Sequence, residues 1–206
     1  MNPVETMTSI RRVALFCISR LGLLCAFGAL AWPFSSQASE LSAQLESPGY
    51  LLLVRHTRAP GIGDPANFKL DDCSTQRNLS AEGKHQAVVI GAWLKKQGIP
   101  SALVYSSPWC RCKDTAQGLD LGGFQVAPVL SSFFVDMNNA KQNRNELEQF
   151  IAQKMRSKHQ QVLILVTHEV NIAEFIGESV AAGEMALVQV DGDGRLISYR
   201  LIPRPE

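Results

Sequence analysis

An imidazole and two guanidinium groups fall within four consecutive residues, Arg55-His56-Thr57-Arg58, directly after the apolar run at 50–54. An aliphatic run bounded by polar residues reads as a buried strand. In open α/β sheets the C-terminal edge of the strands is where ligands bind. Arginine presents forked donors to oxyanions, and an imidazole can attack phosphorus. The neighbourhood therefore suits a dianion such as phosphate. A strand that simply ends in a solvated basic patch has the same local composition, so a second signal is needed. Residues 162–166 form another aliphatic run, and it ends in Thr167-His168-Glu169. Two strands that each finish on a histidine point to a shared site. His85 and His159 fall in stretches that read as helix surface and receive no role.

The elements that must position these residues alternate in type. After the strand at 50–54, residues 57–78 form a long loop rich in Pro, Gly and Asp. Loops of that length in small domains are usually functional or disordered. Ser80 reads as an N-cap for a helix running to about 97, with Ala87, Ile90, Trp93 and Leu94 on one stripe and Gly98 ending it. Residues 102–105 read as a strand, 109–119 as a helix and 124–130 as an extended segment. A core stripe of Leu147, Phe150, Ile151 and Met155 marks a helix over 146–158. A helix starts at about 172, and a hairpin over 185–201 turns at 191–194. Residues 39–48 read as a flexible lead-in. Alternating strands and helices predict an α/β fold of three layers, with a mainly parallel central sheet covered by helices on both faces.

Bulk properties narrow the function class. The chain has 206 residues, 46% of them hydrophobic, and a formal net charge of +1. It carries no long basic run, so nucleic acid is not an expected partner. Residues 1–38 read as a signal peptide: Arg11 and Arg12 form a positive region, 21–32 an apolar stretch, and Ser36-Gln37-Ala38 a small-x-small cleavage pattern. An uncleaved anchor competes, but the uninterrupted stretch is short for a bilayer crossing of about 20 residues. The mature protein, residues 39–206, is expected to be a single exported domain, periplasmic or secreted, without stable membrane insertion. Cys73, Cys110 and Cys112 remain after cleavage, and an oxidising compartment predicts one disulfide and one free thiol. No metal is expected. Cys110 and Cys112 have a one-residue spacer, unlike structural zinc sites. Ile172 stands where the second histidine of a His-Glu-x-x-His helix would be.

Four segments, in order, resemble the histidine phosphatase superfamily with its phosphoglycerate mutase-like fold. Leu53-Val54-Arg55-His56-Thr57 is similar to the family's Arg-His-Gly strand end. Asn78-Leu79-Ser80, with Gly83 and Gln86, is similar to its Leu-Thr-x-x-Gly-x-x-Gln segment. Ser106-Ser107-Pro108, with Arg111, Thr115 and Ala116, is similar to its Ser-Ser-Pro-x-x-Arg-x-x-x-Thr-Ala segment. Val166-Thr167-His168 is similar to the segment of its second histidine. The resemblance implies that His56 is the nucleophile, that Arg55 and Arg111 hold phosphate oxygens, and that His168 completes the pocket. It implies no cofactor and a small phosphomonoester or envelope-linked phosphate as substrate, such as a phosphorylated envelope sugar.

The chain departs from the pattern where Thr57 and Thr167 replace glycines. The Thr57 hydroxyl is a further candidate for phosphate, and so is Arg58, which matches the acid phosphatase branch only if one residue is deleted. Two carboxylates are candidate proton donors. Glu169 follows the second histidine as the acid does in the acid phosphatase branch. Asp136 lies about where the mutase branch carries its acid. The loop with Cys73 and the helix with Arg111 should meet at the pocket rim, which predicts a disulfide from Cys73 to either Cys110 or Cys112. The expected activity is metal-independent phosphomonoester hydrolysis through a phosphohistidine. The alternative is a non-catalytic phosphate-ligand binder on the same fold.

Overall fold

A computed structural model describes residues 39–206; the expected signal peptide lies outside the described residues. Strand β1 (Tyr50–Arg55) takes its extended form from Leu51, Leu52, Leu53 and Val54, all fully buried. Strands β2 (Leu103–Ser106), β3 (Gln125–Val126), β4 (Leu163–Thr167), β5 (Met185–Val190) and β6 (Leu196–Ile202) complete one sheet in the order β3-β2-β4-β1-β5-β6. The first four in that order run parallel, and β5 and β6 form the antiparallel end hairpin. β1 and β4 are neighbours with Arg55 opposite Thr167, so both strands stop at the same level.

Side-chain alternation builds the layers. Leu52, Val54, Ile164 and Val166 face one side of the sheet, with Ile90 and Leu94 of α2 (Ala81–Lys96) and Cys112, Ala116 and Leu119 of α3 (Cys110–Leu119). Leu51, Leu53, Leu163 and Leu165 face the other, with Leu147 and Ile151 of α4 (Ala140–Ser157) and Ile172 and Phe175 of α5 (Glu169–Ile176). Apolar residues on both faces are what a parallel sheet between two helical layers requires. The expected architecture is the observed one.

Three local expectations change. Residues 39–48 are not a bare lead-in. Ser39 caps a short helix, α1 (Glu40–Glu46), which buries Leu41 and Leu45, and the buried Lys158 ammonium donates to the Leu45 carbonyl at 2.6 Å. Helix α4 begins at Ala140, six residues before the apolar stripe marks it. Its first turns are polar, and periodicity cannot register a solvated turn. Of residues 124–130 only two form a strand, and Pro128–Leu130 is a 3-10 turn. Among the described residues no helix is long and apolar enough to cross a membrane.

Candidate active site

The two strand-terminal histidines face each other, with ring centres 5.5 Å apart. The register of β1 with β4 brings this about, because His56 follows the last residue of one strand and His168 the last residue of the other. The His56 backbone N–H donates to the Thr167 carbonyl at 3.0 Å, so the chain after β1 stays attached to β4. His56 Nδ1 lies 2.8 Å from the Thr57 carbonyl. A carbonyl only accepts, so Nδ1 carries the proton and Nε2 keeps its lone pair. Burial, together with the charges of Arg111, Arg55 and Arg77, pushes the His56 pKa down to about 3, against the opposing Thr57 hydrogen bond. The imidazole is therefore neutral at ordinary pH. His168 is held well below its usual value, first by burial and then by His56 and Arg111. Its Nδ1 faces Arg111 Nη2 at 3.4 Å and its Nε2 faces Ser107 Oγ at 2.7 Å.

Three guanidinium groups enter the same cleft, which has a volume of about 180 Å³ and is also lined by both histidines and Glu169. Arg55 donates from Nη1 to the Val180 carbonyl, and its buried Nε has no partner. Arg111 is buried and forms an ion pair with Asp64 at 2.9 Å, and its Nε is likewise buried without a partner. An unpartnered buried N–H is costly, and both of these belong to arginines that line the cleft. The third cation, Arg77, was not singled out from the sequence. It lies just before the Asn78-Leu79-Ser80 segment, and its donors to the Gly63 and Ala59 carbonyls bend it back over the loop. Only the folded loop reveals it. Asp64 was also missed. It accepts from Arg111, the Arg77 backbone N–H and Trp109 Nε1, and these bonds outweigh its burial and hold its carboxyl below the ordinary value.

Glu169 lines the cleft and accepts from Ser179 Oγ at 2.6 Å. Three other candidates lie elsewhere. Asp136 is exposed at the start of the exposed 3-10 turn Met137–Asn139 and accepts from the Asn139 amide. Arg58 is exposed and pairs with Glu82, because the chain has turned outward one residue after Thr57. Thr57 is buried behind the site, with its hydroxyl 3.2 Å from that of Thr115. Neither threonine that replaces a glycine needs glycine's freedom. Among the described residues only Asp120 and His159 have positive φ without being glycine. The Thr167 hydroxyl donates to the Leu130 carbonyl at 2.8 Å.

Helix α2 holds the segment after His56 in place. The Ser80 N–H donates to the Arg58 carbonyl at 3.0 Å, and the Arg58 N–H donates to Gln86 Oε1 at 3.1 Å. Gly83 lets the helix approach that closely, since a Cβ there would overlap the Arg58 carbonyl. A disulfide joins Cys73 to Cys110, which ties the loop carrying Asp64 and Arg77 to the first turn of the helix carrying Arg111. Cys112 is the free thiol among the described residues, and burial pushes its pKa up to about 12.

The model of the histidine phosphatase superfamily (branch 1) matches residues 51–129. No curated protein matches the chain. The fold is similar to that of Rv3214 from Mycobacterium tuberculosis (TM-score 0.54, 14% identity, 75% of this chain and 96% of that one). It is similar to a phosphoserine phosphatase from Entamoeba histolytica in complex with phosphoserine (TM-score 0.52, 13% identity, 73% and 95%). A mycobacterial glucosyl-3-phosphoglycerate phosphatase in complex with VO3 is a third (TM-score 0.50, 17% identity, 76% and 98%).

Proposed function

We propose that this chain, which matches the model of the histidine phosphatase superfamily over residues 51–129, is a member of that superfamily and hydrolyses phosphomonoesters through a phosphohistidine on His56, without a metal. The observation that carries the reading is the bond between His56 Nδ1 and the Thr57 carbonyl, which leaves Nε2 unprotonated in a cleft with three arginines. Nε2 attacks phosphorus, the bond to the leaving oxygen breaks, and Glu169 gives that oxygen its proton. Water then attacks the phosphohistidine and releases inorganic phosphate. Arg55, Arg77 and Arg111 hold the equatorial oxygens, and His168 steadies Arg111 and closes the wall. Phosphoryl transfer depends mainly on such positioning and charge stabilisation.

His56→Ala is expected to abolish turnover of p-nitrophenyl phosphate and to remove the phosphoenzyme that rapid quench with labelled substrate traps in the parent. Undiminished turnover by the purified variant would refute the nucleophile. Glu169→Gln should slow alkyl phosphates far more than p-nitrophenyl phosphate, whose phenolate leaves without a proton; equal slowing of both would remove Glu169 as donor. Turnover that survives EDTA is part of the same expectation. Export of the mature domain belongs to the proposal too, and a mature N-terminus near residue 39 would support it. A phosphorylated envelope sugar and other phosphomonoesters share this chemistry at the phosphate and differ in the leaving group.

A further inference from the structure

We propose that the mouth of the cleft selects an apolar leaving group, so that the substrate is an amphiphilic phosphomonoester: a phosphate head on an aliphatic alcohol. This rests on the phosphatase reading and names its substrate class. The cleft has two chemically different ends. Its cationic end carries Arg55, Arg77 and Arg111 with the two histidines. Its rim carries Ile62 from the loop after β1, and Phe134 and Val135 from the loop before α4. These three are 91%, 49% and 83% exposed. Apolar side chains left that open, Ile62 and Val135 above all, contribute little to the core. Grouped on two loops around one cleft, they form a surface that gains from being covered. Phe68 and Trp109, with ring centres 5.8 Å apart, continue the apolar wall inward.

The polar inventory of the rim argues in the same direction. A sugar leaving group brings several hydroxyls, and each loses hydration on entering and needs a partner. Away from the cations and histidines, the side chains available are Asp64, Ser132 and Glu169. Asp64 is taken up by Arg111, Arg77 and Trp109. Ser132 Oγ already accepts from the Phe134 N–H at 3.3 Å. Glu169 accepts from Ser179 and is the proposed proton donor. A polyhydroxylated group finds few open partners here, whereas an alkyl chain needs none. The reaction is the hydrolysis described above: the P–O bond to the alcohol breaks, the alcohol leaves with one proton, and water supplies the oxygen that ends on phosphate.

The test is a homologous series of n-alkyl phosphates, from ethyl to hexyl, kept monomeric, with glycerol phosphate and glucose 6-phosphate as polar counterparts of similar leaving-group strength. kcat/KM should rise about twofold to fourfold per methylene, the range for a methylene leaving water wholly or in part. The ratio of hexyl to ethyl phosphate should fall towards one in the double variant Ile62→Ser, Val135→Ser, whose changed side chains lie on the surface. A parallel arm places a long-chain alkyl phosphate in phosphatidylcholine vesicles. Its hydrolysis would identify a membrane lipid as the source of the ester, and hydrolysis of the soluble series alone would identify a free amphiphile. A flat series, a preference for the two polar esters, or a slope that persists in the double variant would overturn the proposal. If no ester is turned over, the phosphatase reading fails instead. Calorimetric binding of ethyl against hexyl phosphate then still reads the rim, and equal affinities would overturn this inference.

Discussion

Arg77 and Arg58 differ only in which way the folded loop turns them, and they make opposite predictions. Arg77 lines the cleft, whereas Arg58 is exposed and paired with Glu82. Arg77→Ala should raise KM for a small phosphomonoester at least tenfold, the usual scale for losing a charge-assisted bond of about 1.5–3 kcal/mol. Arg58→Ala should change it less than twofold, and steady-state kinetics on the two variants checks both. The histidines give a pH prediction. In the unfolded chain His56 titrates near 6.5, and in the fold only near 3. His168 shifts in the same direction. Below about 6.5 the unfolded state binds protons that the native state refuses, so stability is full above that pH and falls as pH drops towards 3. Urea midpoints should decline between pH 6.5 and about 5, where most carboxylates are still ionised. His56→Asn with His168→Gln should flatten that decline, and an unchanged slope in the double variant would refute it. The histidine pair was legible in the sequence because each ends an aliphatic run. Arg77 and Asp64 were not, because nothing in a polar loop announces which of its charges turns inward.

At the scale of elements, the site depends on helix α2 lying against the backbone of Arg58. Gly83→Ala should cost about 1–3 kcal/mol of stability, the usual range for overpacking. It should also lower kcat/KM by displacing the segment next to His56. Denaturant melts and steady-state assays measure the two effects, and a variant unchanged in both would show that the helix yields without moving Arg58. The sequence carried Gly83 and Gln86 only as parts of a pattern. Their purpose is a backbone contact between residues far apart in the chain, which no local periodicity encodes. Ser80, by contrast, was readable as a cap because a cap is a local arrangement. The helix start at Ala140 shows the converse: with no side-chain cap and only solvated first turns, it leaves no local signal.

At the scale of the molecule, the disulfide ties the long loop after β1 to the first turn of the helix that carries Arg111. Cys73 and Cys110 are 37 residues apart, and a loop of that size stabilises by about 3–4 kcal/mol through the unfolded chain. Cys73→Ser should lower Tm by several degrees and raise KM, because the loop bearing Arg77 and Asp64 loses its tether. Melting curves of the parent with and without reductant provide the check, and identical curves would sink the idea. The expected export and a loop–helix meeting together predict one bridge from Cys73. The choice of Cys110 over Cys112 needed the helix orientation, which puts Cys112 in the core. The strand order bears on how the protein comes to be active. β1 is flanked by β4 and β5, two of the last three strands in the chain. During synthesis or refolding the strand that leads into His56 exists early but lacks its sheet neighbours. The contacts that complete it are long-range, the kind that form slowly. A half-made or half-unfolded chain therefore carries His56 without His168 opposite it. Return of activity on refolding should follow the closing of the sheet, and no earlier collapsed state should hydrolyse an ester.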